Sequence, residues 1–397
     1  MIHNLRQAYN TAFTSEKYEV FLNHIQSLYN TKPNFRIAET PVFIPDDFRD
    51  KLLQACEDIA DTLCQPHFKT QSEGALKAEH RVPNEDDHTT FLVVDYGICE
   101  QNGELMPKLI ELQGFPSLYF FQHDLALAYK SHFDVPQTMT PLFDGLDTEG
   151  YHNLLRNIIV GDSKPENVVL LEIEPEKQNT AIDFYSTSNH LGIKVLCLTK
   201  VIKRGRKLYY KNEKGSRIRI EKIYNRVIFD ELERRTDLTL GFHFSDDLDV
   251  EWIGHPNWFF RISKYIMPFL KSDYVPKTYF LKDIDPSQLD LSQFVLKPLF
   301  SFSGQGVKIQ VTQADIDAVE DKTNWILQEK VQYAPILETP SGDTKIEIRM
   351  LMVWKKEWER PRLINNLIRL SKGEMIGVRY NKDKDWVGAS VGLFNPQ

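Results

Sequence analysis

The segment best suited to bind a phosphate is Phe294–Ile309, which has the pattern of a strand, a loop of small residues and a second strand. Lys297 stands near the end of the first strand, and Gly304 and Gly306 flank Gln305 in the loop. Glycines let the backbone approach a ligand and present its N–H groups to phosphate oxygens, which a nearby ammonium group also neutralises. The lysine precedes the glycines, so this is not a Walker loop. A flexible hairpin beside a surface lysine explains the same pattern equally well.

A second set of chemical groups lies on a predicted hairpin. Asp95 is on its first strand, Glu111 and Gln113 are on the returning strand, and Asn102-Gly103 forms the turn. One extra residue in a bulge at Pro107 would shift the pairing so that Asp95 faces Glu111. Three side-chain oxygens would then converge, as a hard cation such as Mg²⁺ requires. A solvated strand face is the alternative, although the apolar residues before Asp95 indicate burial.

Two further patterns are weaker on their own. The predicted strand Trp325–Val331 contains Gln328, Glu329 and Lys330 near its end, and this Gln-Glu pair could meet an adenine and a ribose. An ordinary strand with a polar end is the simpler interpretation. The C-terminal third also carries basic and polar residues that could stabilise a transferring phosphoryl group, with scattered surface charge as the alternative. These residues are Arg349, Arg369, Lys372, Arg379 and Asn381.

The elements that must position these groups change in type along the chain. Apolar residues at helical spacing predict helices at 16–29 and 46–64, and two strands, 89–98 and 105–113, flank the Asn-Gly turn. A strand, a helix and a strand over 167–198 predict a βαβ unit with a parallel pair. This unit lacks the Gly-x-Gly-x-x-Gly pattern of a dinucleotide site.

The remainder alternates short elements. A hairpin is predicted over 207–220 with its turn near Lys214-Gly215, followed by a strand at 223–229 and a helix at 257–270. The predicted strands of the C-terminal part are 294–298, 307–311, 325–331, 345–354, 362–370 and 375–378.

The composition is that of an ordinary globular protein. The chain has 397 residues, 42% hydrophobic and 26% charged, and a net charge of −8, which gives no general reason to expect nucleic acid or an anionic membrane as partner. The four cysteines form no Cys-x-x-Cys pair, so free thiols in a reducing cytoplasm are expected. We also expect no signal peptide and no membrane span.

Taken together, these segments resemble the ATP-grasp superfamily. They are most similar to its circularly permuted branch, which includes the synthetase domain of glutathionylspermidine synthase and uncharacterised relatives. Lys297-Pro298-Leu299 and the following glycines resemble the family's Lys-Pro strand and phosphate loop. Gln328-Glu329 resembles the adenine hinge, and Asp95 with Glu111-Leu112-Gln113 resembles the metal-binding Asp and Glu-x-Asn. The carboxylates precede the phosphate loop in this chain, which is the order of the permuted branch.

The resemblance implies a mixed α/β (α+β) chain with a circularly permuted ATP-grasp fold and an inserted Rossmann-like pre-ATP-grasp domain. Residues 1–150 would form an N-terminal helical segment plus the carboxylate hairpin. Residues 151–254 would form the Rossmann-like domain, and residues 255–397 the ATP-binding part of the grasp unit.

The implied activity is an ATP- and Mg²⁺-dependent carboxylate–amine ligase that acts through an acyl phosphate on a small-molecule or peptide carboxylate and an amine. Arg379 and Arg349 would be catalytic. Mg²⁺ would be held by Asp95, Glu111 and Gln113. ATP would be held by Lys297, Ser303, Gly304, Gln305, Gly306, Gln328, Glu329 and Lys330.

The chain departs from the family pattern at three places. Gln113 replaces the usual Asn, the Ser301–Ser303 start of the loop is bulky, and Val93 replaces an arginine two positions before the metal Asp. Arg81 or Arg379 would have to supply that missing cation. A phosphotransferase of the same fold and a non-catalytic nucleotide-binding regulatory protein are the alternative functions.

Overall fold

A computed structural model describes residues 1–301, 304–373, 376, 381 and 383–396. Helices dominate the first part of the chain, and the predicted helices at 16–29 and 46–64 are present. Asp46 and Asp47 begin the second of these, where the helix dipole favours negative charge. The α-helices are α1 (His3–Ala12), α2 (Ser15–Tyr29), α3 (Asp46–Leu63), α4 (Phe68–Gln71), α5 (Tyr119–His132), α6 (Thr148–Ile159), α7 (Ala181–Leu191), α8 (Phe229–Arg234), α9 (Asn257–Arg261) and α10 (Gln313–Asp317).

The strands of the described residues belong to several separate sheets. They are β1 (Val42–Phe43), β2 (Phe91–Gln101), β3 (Glu104–Gln113), β4 (Val168–Glu172), β5 (Lys194–Cys197), β6 (Ile202–Arg204), β7 (Lys207–Lys211), β8 (Arg217–Ile220), β9 (Lys222–Asn225), β10 (Glu251–Ile253), β11 (Thr278–Phe280), β12 (Phe294–Pro298), β13 (Trp325–Glu329), β14 (Lys345–Val353), β15 (Arg362–Ser371), β16 (Gly388–Ser390) and β17 (Gly392–Leu393). The protein is therefore a mixed α/β structure.

The largest described sheet has the strand order β16-β15-β14-β2-β3 and is antiparallel. The predicted Asn102-Gly103 turn joins β2 to β3, with both residues at positive φ. Strand β14, from far along the chain, pairs with β2 on its other side. One face of this sheet carries apolar residues such as Val94, Ile348 and Met350, which form a core cluster with α3.

The predicted βαβ unit is also present. Strands β4 and β5 are parallel and α7 connects them, ending at Gly192 in the left-handed conformation that favours glycine. Together with β9 and β10 they form a parallel sheet of order β10-β9-β4-β5. The predicted hairpin appears as β7 and β8 in a separate antiparallel sheet with β6.

A third sheet, of order β11-β13-β12, is antiparallel and lies against β3. Side chains of β12 and β13 donate hydrogen bonds to backbone carbonyls of β3, so the two sheets face each other. This contact positions the candidate site.

Some predicted elements differ in the structure. The helix predicted at 257–270 ends at Arg261, and a 3₁₀ turn (Lys264–Phe269) follows, because the Ile262 carbonyl accepts the backbone N–H of Gly114 instead of continuing the helix. The strand predicted at 307–311 is reduced to a single bridge at Lys308, and β9 ends at Asn225 instead of continuing to 229. Of the strand predicted at 375–378, only residue 376 is among the described residues, so that prediction is not tested. None of the described helices is both long and apolar enough to cross a bilayer.

Candidate functional site

A bulge in β3 brings the two predicted carboxylates together. Asp95 pairs with Glu111, and the next pair is Tyr96 with Leu109, so Ile110 is the extra residue. The predicted register is therefore correct, but the predicted position of the bulge is wrong, since Pro107 pairs regularly with Ile98. Pro107 is tolerated because β3 is the edge of the described sheet.

Asp95 is buried between two arginines. The Arg349 Nε and Nη2 atoms donate to its two oxygens at 2.6 Å each, and Arg369 Nη2 donates to Oδ2 at 2.6 Å. Arg349 also donates to the Ser117 hydroxyl at 2.8 Å. Burial by itself would raise the pKa of Asp95, but the two guanidinium groups hold that pKa below its ordinary value. Asp95 is therefore a buried, ionised and doubly paired carboxylate.

A second acid, Glu347, extends this cluster along β14. Arg369 forms an ion pair with it, and the Tyr333 hydroxyl donates to its Oε2 at 2.5 Å. Burial raises the pKa of Glu347. The Tyr333 ring packs over Gly97, where a Cβ would lie 2.8 Å from a ring carbon, so the cluster requires glycine there.

Lys297 reaches this cluster from the opposite sheet. Its Nζ donates to the Ile110 carbonyl at 3.0 Å, which joins β12 to the bulge of β3. Only 8% of Lys297 is exposed. Burial lowers its pKa to about 8, an effect that the Glu111 carboxylate opposes. Lys264 lies on the same side, with Nζ 3.8 Å from Glu111 Oε2 and 2.7 Å from the Ser301 carbonyl.

The predicted adenine-binding residues point in different directions. The Gln328 side chain is buried and donates to the Leu109 carbonyl at 3.1 Å, while its Oε1 is buried without a hydrogen-bond partner. The Glu329 carboxylate accepts a hydrogen bond from the Lys277 backbone N–H at 3.2 Å. Lys330 Nζ donates a hydrogen bond to the carbonyl of Ser292, just before β12. Of these three side chains, that of Gln328 lies on the same face of the β12–β13 pair as Lys297. Its unpaired oxygen is suited to a ligand that donates a hydrogen bond.

Residues 304–306 of the predicted phosphate loop lie at the surface. Gly304 and Gly306 both have positive φ, and Gln305 Oε1 accepts a hydrogen bond from Arg234 at 3.0 Å. Ser303 and Arg379, two of the predicted site residues, lie outside the described residues.

The cluster has more cationic than acidic groups. Among the described residues, Arg349, Arg369, Lys264 and Lys297 face Asp95, Glu111 and Glu347, which leaves four positive charges against three negative ones when all are ionised. This excess suits an anionic ligand.

The donor set fits Mg²⁺ only in part. Asp95 already accepts three hydrogen bonds from arginines, so a cation there would have to displace or approach two guanidinium groups. Glu111 is only half-buried, and among the described residues it accepts a hydrogen bond from Gln113 Nε2 at 3.1 Å. Glu111 and Gln113 therefore suit a cation better than Asp95 does.

Sequence reasoning missed several members of the cluster. Lys264, Glu347, Tyr333 and Ser117 gave no signal, because each meets its partner on a different segment of the chain, from 14 to 232 residues away. Arg81 is not part of the cluster; it pairs with Glu73. Arg349 instead supplies a cation beside Asp95.

No protein-family model matches the chain, and none of the curated proteins matches it. Among solved structures, 36 chains match. One is a glutathione synthetase-like effector from Globodera pallida in its apo form, which aligns with 97% of this chain and 98% of its own at a TM-score of 0.59 and 8% sequence identity. The chain therefore has a fold related to that of a glutathione synthetase-like protein, and identity this low establishes nothing beyond the fold.

Proposed function

We propose that the protein is an ATP-dependent carboxylate–amine ligase with a circularly permuted ATP-grasp site between the three-stranded and five-stranded sheets. One observation carries the proposal: Lys297 contacts the bulge beside Asp95 and Glu111, although 187 residues separate Lys297 from Ile110. The likeness to a glutathione synthetase-like protein supports a synthetase fold. Residues 151–254 would form an inserted Rossmann-like domain between residues 1–150 and 255–397.

The ATP phosphates would lie against Lys297 and the backbone N–H groups of residues 303–306, where the net positive charge would neutralise them. The base would lie beside Gln328, whose buried Oε1 could accept a hydrogen bond from the adenine amino group. The Glu329 and Lys330 side chains contact the Lys277 backbone and the Ser292 carbonyl, so they would take no part in holding the base.

The chemistry would proceed in two displacements. A substrate carboxylate oxygen attacks the γ-phosphorus and ADP leaves, which forms an acyl phosphate. An amine then attacks the acyl carbon and inorganic phosphate leaves. Arg349 and Arg379 would stabilise the charge that develops on the transferring group, and positioning supplies most of the rate. Mg²⁺, held by Glu111 and Gln113 with Asp95 beside them, would supply further charge neutralisation when bound.

A second candidate is a nucleotide-binding protein that performs no ligation. The enclosure of Asp95 by Arg349 and Arg369 favours it, because these arginines occupy the oxygens that a metal ion would use. Both candidates require ATP to bind at Lys297, and they differ in turnover.

The test is ATP binding by Lys297→Met, with Lys308→Met as the matched control on the neighbouring segment. Lys308 is exposed and forms an ion pair with Asp315. Loss of a charged phosphate contact worth about 1.5–3 kcal/mol should weaken Mg·ATP affinity about 10- to 150-fold, measured by calorimetry. The control should bind as the unmodified protein does.

Unchanged affinity in folded Lys297→Met would refute the nucleotide site. If that variant loses ATP binding, the unmodified protein is then assayed for ADP and amide formation with panels of amino acids, peptides and polyamines. Turnover supports the ligase, and binding without turnover across the panels supports the second candidate.

A further inference from the structure

Three helices bring a separate group of metal-ligating side chains together. Asp124 lies on α5, His152 on α6 and His190 on α7, and one ligand atom of each lies within 4.8 Å of the other two. Among the described residues, no hydrogen bond or ion pair joins these three side chains to the cluster around Asp95. Their separation in sequence explains why no spacing pattern revealed them.

The carboxylate of this group is already held in place. Asp124 Oδ1 lies 3.0 Å from His190 Nε2, and Oδ2 accepts hydrogen bonds from the Ser186 hydroxyl at 2.5 Å and from Tyr29. Hydrogen bonds of this kind to a ligating carboxylate orient it toward a metal ion. Tetrahedral Zn²⁺ with bonds of about 2.0–2.1 Å separates neighbouring ligand atoms by about 3.3 Å, close to the Asp124–His190 distance.

The histidines have nitrogens in need of a partner. His152 Nε2 is buried without a hydrogen bond, and the same is true of Nδ1 of the adjacent His123. The His152 ring lies 4.2 Å from the His190 ring and 5.3 Å from the His123 ring, between centroids. A purely hydrogen-bonded network leaves these buried nitrogens unsatisfied, whereas a metal ion would use at least one of them.

We propose that Asp124, His152 and His190 bind one divalent metal ion of the Zn²⁺ type. Two imidazoles and one carboxylate suit Zn²⁺ better than Mg²⁺ or Ca²⁺, which prefer oxygen ligands. The ligand atoms lie up to 4.8 Å apart, so they would approach one another by up to about 1.5 Å to reach tetrahedral spacing. The ion would join α5, α6 and α7, and a fourth coordination position would face His123 or water.

The test uses the full-length protein, stripped of metal with a chelator and titrated with Zn²⁺ by calorimetry. We expect one ion per chain and a melting temperature that rises with Zn²⁺ concentration. His152→Gln should lower the affinity at least tenfold. The control His24→Gln changes a different histidine pair, in which the His24 and His132 rings lie 4.8 Å apart, and should bind as the unmodified protein does.

Replacement of Zn²⁺ by Co²⁺ reports coordination directly, because histidine-ligated tetrahedral Co²⁺ absorbs visible light strongly. We expect this absorption in the unmodified protein and its loss in His190→Gln, which also serves if His152→Gln does not fold. Absence of Zn²⁺ binding by the unmodified protein would overturn the proposal, as would equal losses in His24→Gln and His152→Gln. None of these measurements depends on ATP, so the result is independent of the proposed ligase activity.

Discussion

Replacement of Asp95 by asparagine separates its role as a counter-ion from a role as a metal ligand. The carboxylate accepts three hydrogen bonds of 2.6 Å from Arg349 and Arg369 and is 1% exposed. Asparagine keeps the shape but puts an amide donor against guanidinium donors and leaves two arginines without their shared anion. Removal of one partner from a buried ion pair costs about 3–5 kcal/mol.

This cost converts to a measurable shift in melting temperature. An unfolding entropy of about 2.1 cal/mol/K per residue amounts to about 0.8 kcal/mol/K over the 397 residues, so Asp95→Asn should melt about 4–6 °C lower. Calorimetry without nucleotide or divalent metal is the assay. Glu111→Gln is the matched control, because Glu111 is half-buried and its described partners are Gln113 and Lys264; it should melt within about 1–2 °C of the unmodified protein.

The pH dependence gives an independent check. Because the pKa of Asp95 is lowered in the folded state, its stabilisation is present above the unfolded pKa of about 3.9 and is lost as the pH falls below that value. The difference between Asp95→Asn and the unmodified protein should therefore shrink in acid. The counter-ion role would be refuted if Asp95→Asn melts at an unchanged temperature at pH 7 and its ATP binding no longer depends on Mg²⁺.

Two further substitutions probe the surroundings of the site and the parallel sheet. Gly97→Ala should lower the free energy of unfolding by about 1–3 kcal/mol in urea titrations, because its Cβ would overlap the Tyr333 ring; unchanged stability would contradict that packing. Burial raises the pKa of Glu172 to about 8, so stability from its protonated form is present below the unfolded pKa and is lost as pH rises through 8. Glu172→Gln should therefore gain stability relative to the unmodified protein as the pH rises from about 4.3 to 8. If the difference in unfolding free energy between the two proteins stays constant over that range, the pKa of Glu172 is ordinary.

Local patterns predicted most of the elements that carry the candidate site. The Asn102-Gly103 turn determines the hairpin, and β12 has the predicted bounds, because strand period and turn chemistry depend on neighbours in sequence. The pairing of Asp95 with Glu111 also followed from the hairpin once one extra residue was allowed. The pattern did not locate that residue, since the bulge occurs at Ile110, where the carbonyl meets Lys297, and not at the proline.

The chemical state of the site depended on the tertiary structure. Asp95 is enclosed by arginines because β14 pairs with β2 and β15 lies beyond it, and no local signal specifies that strand order. For the same reason, the sequence alone did not predict Lys264 beside Glu111, or the meeting of Asp124, His152 and His190 on three helices. The sequence determined which residue types and elements are present, because these follow from short-range periodicity. The tertiary structure decided which charges become buried partners, because ionic and metal contacts depend on distance in space and not on separation along the chain.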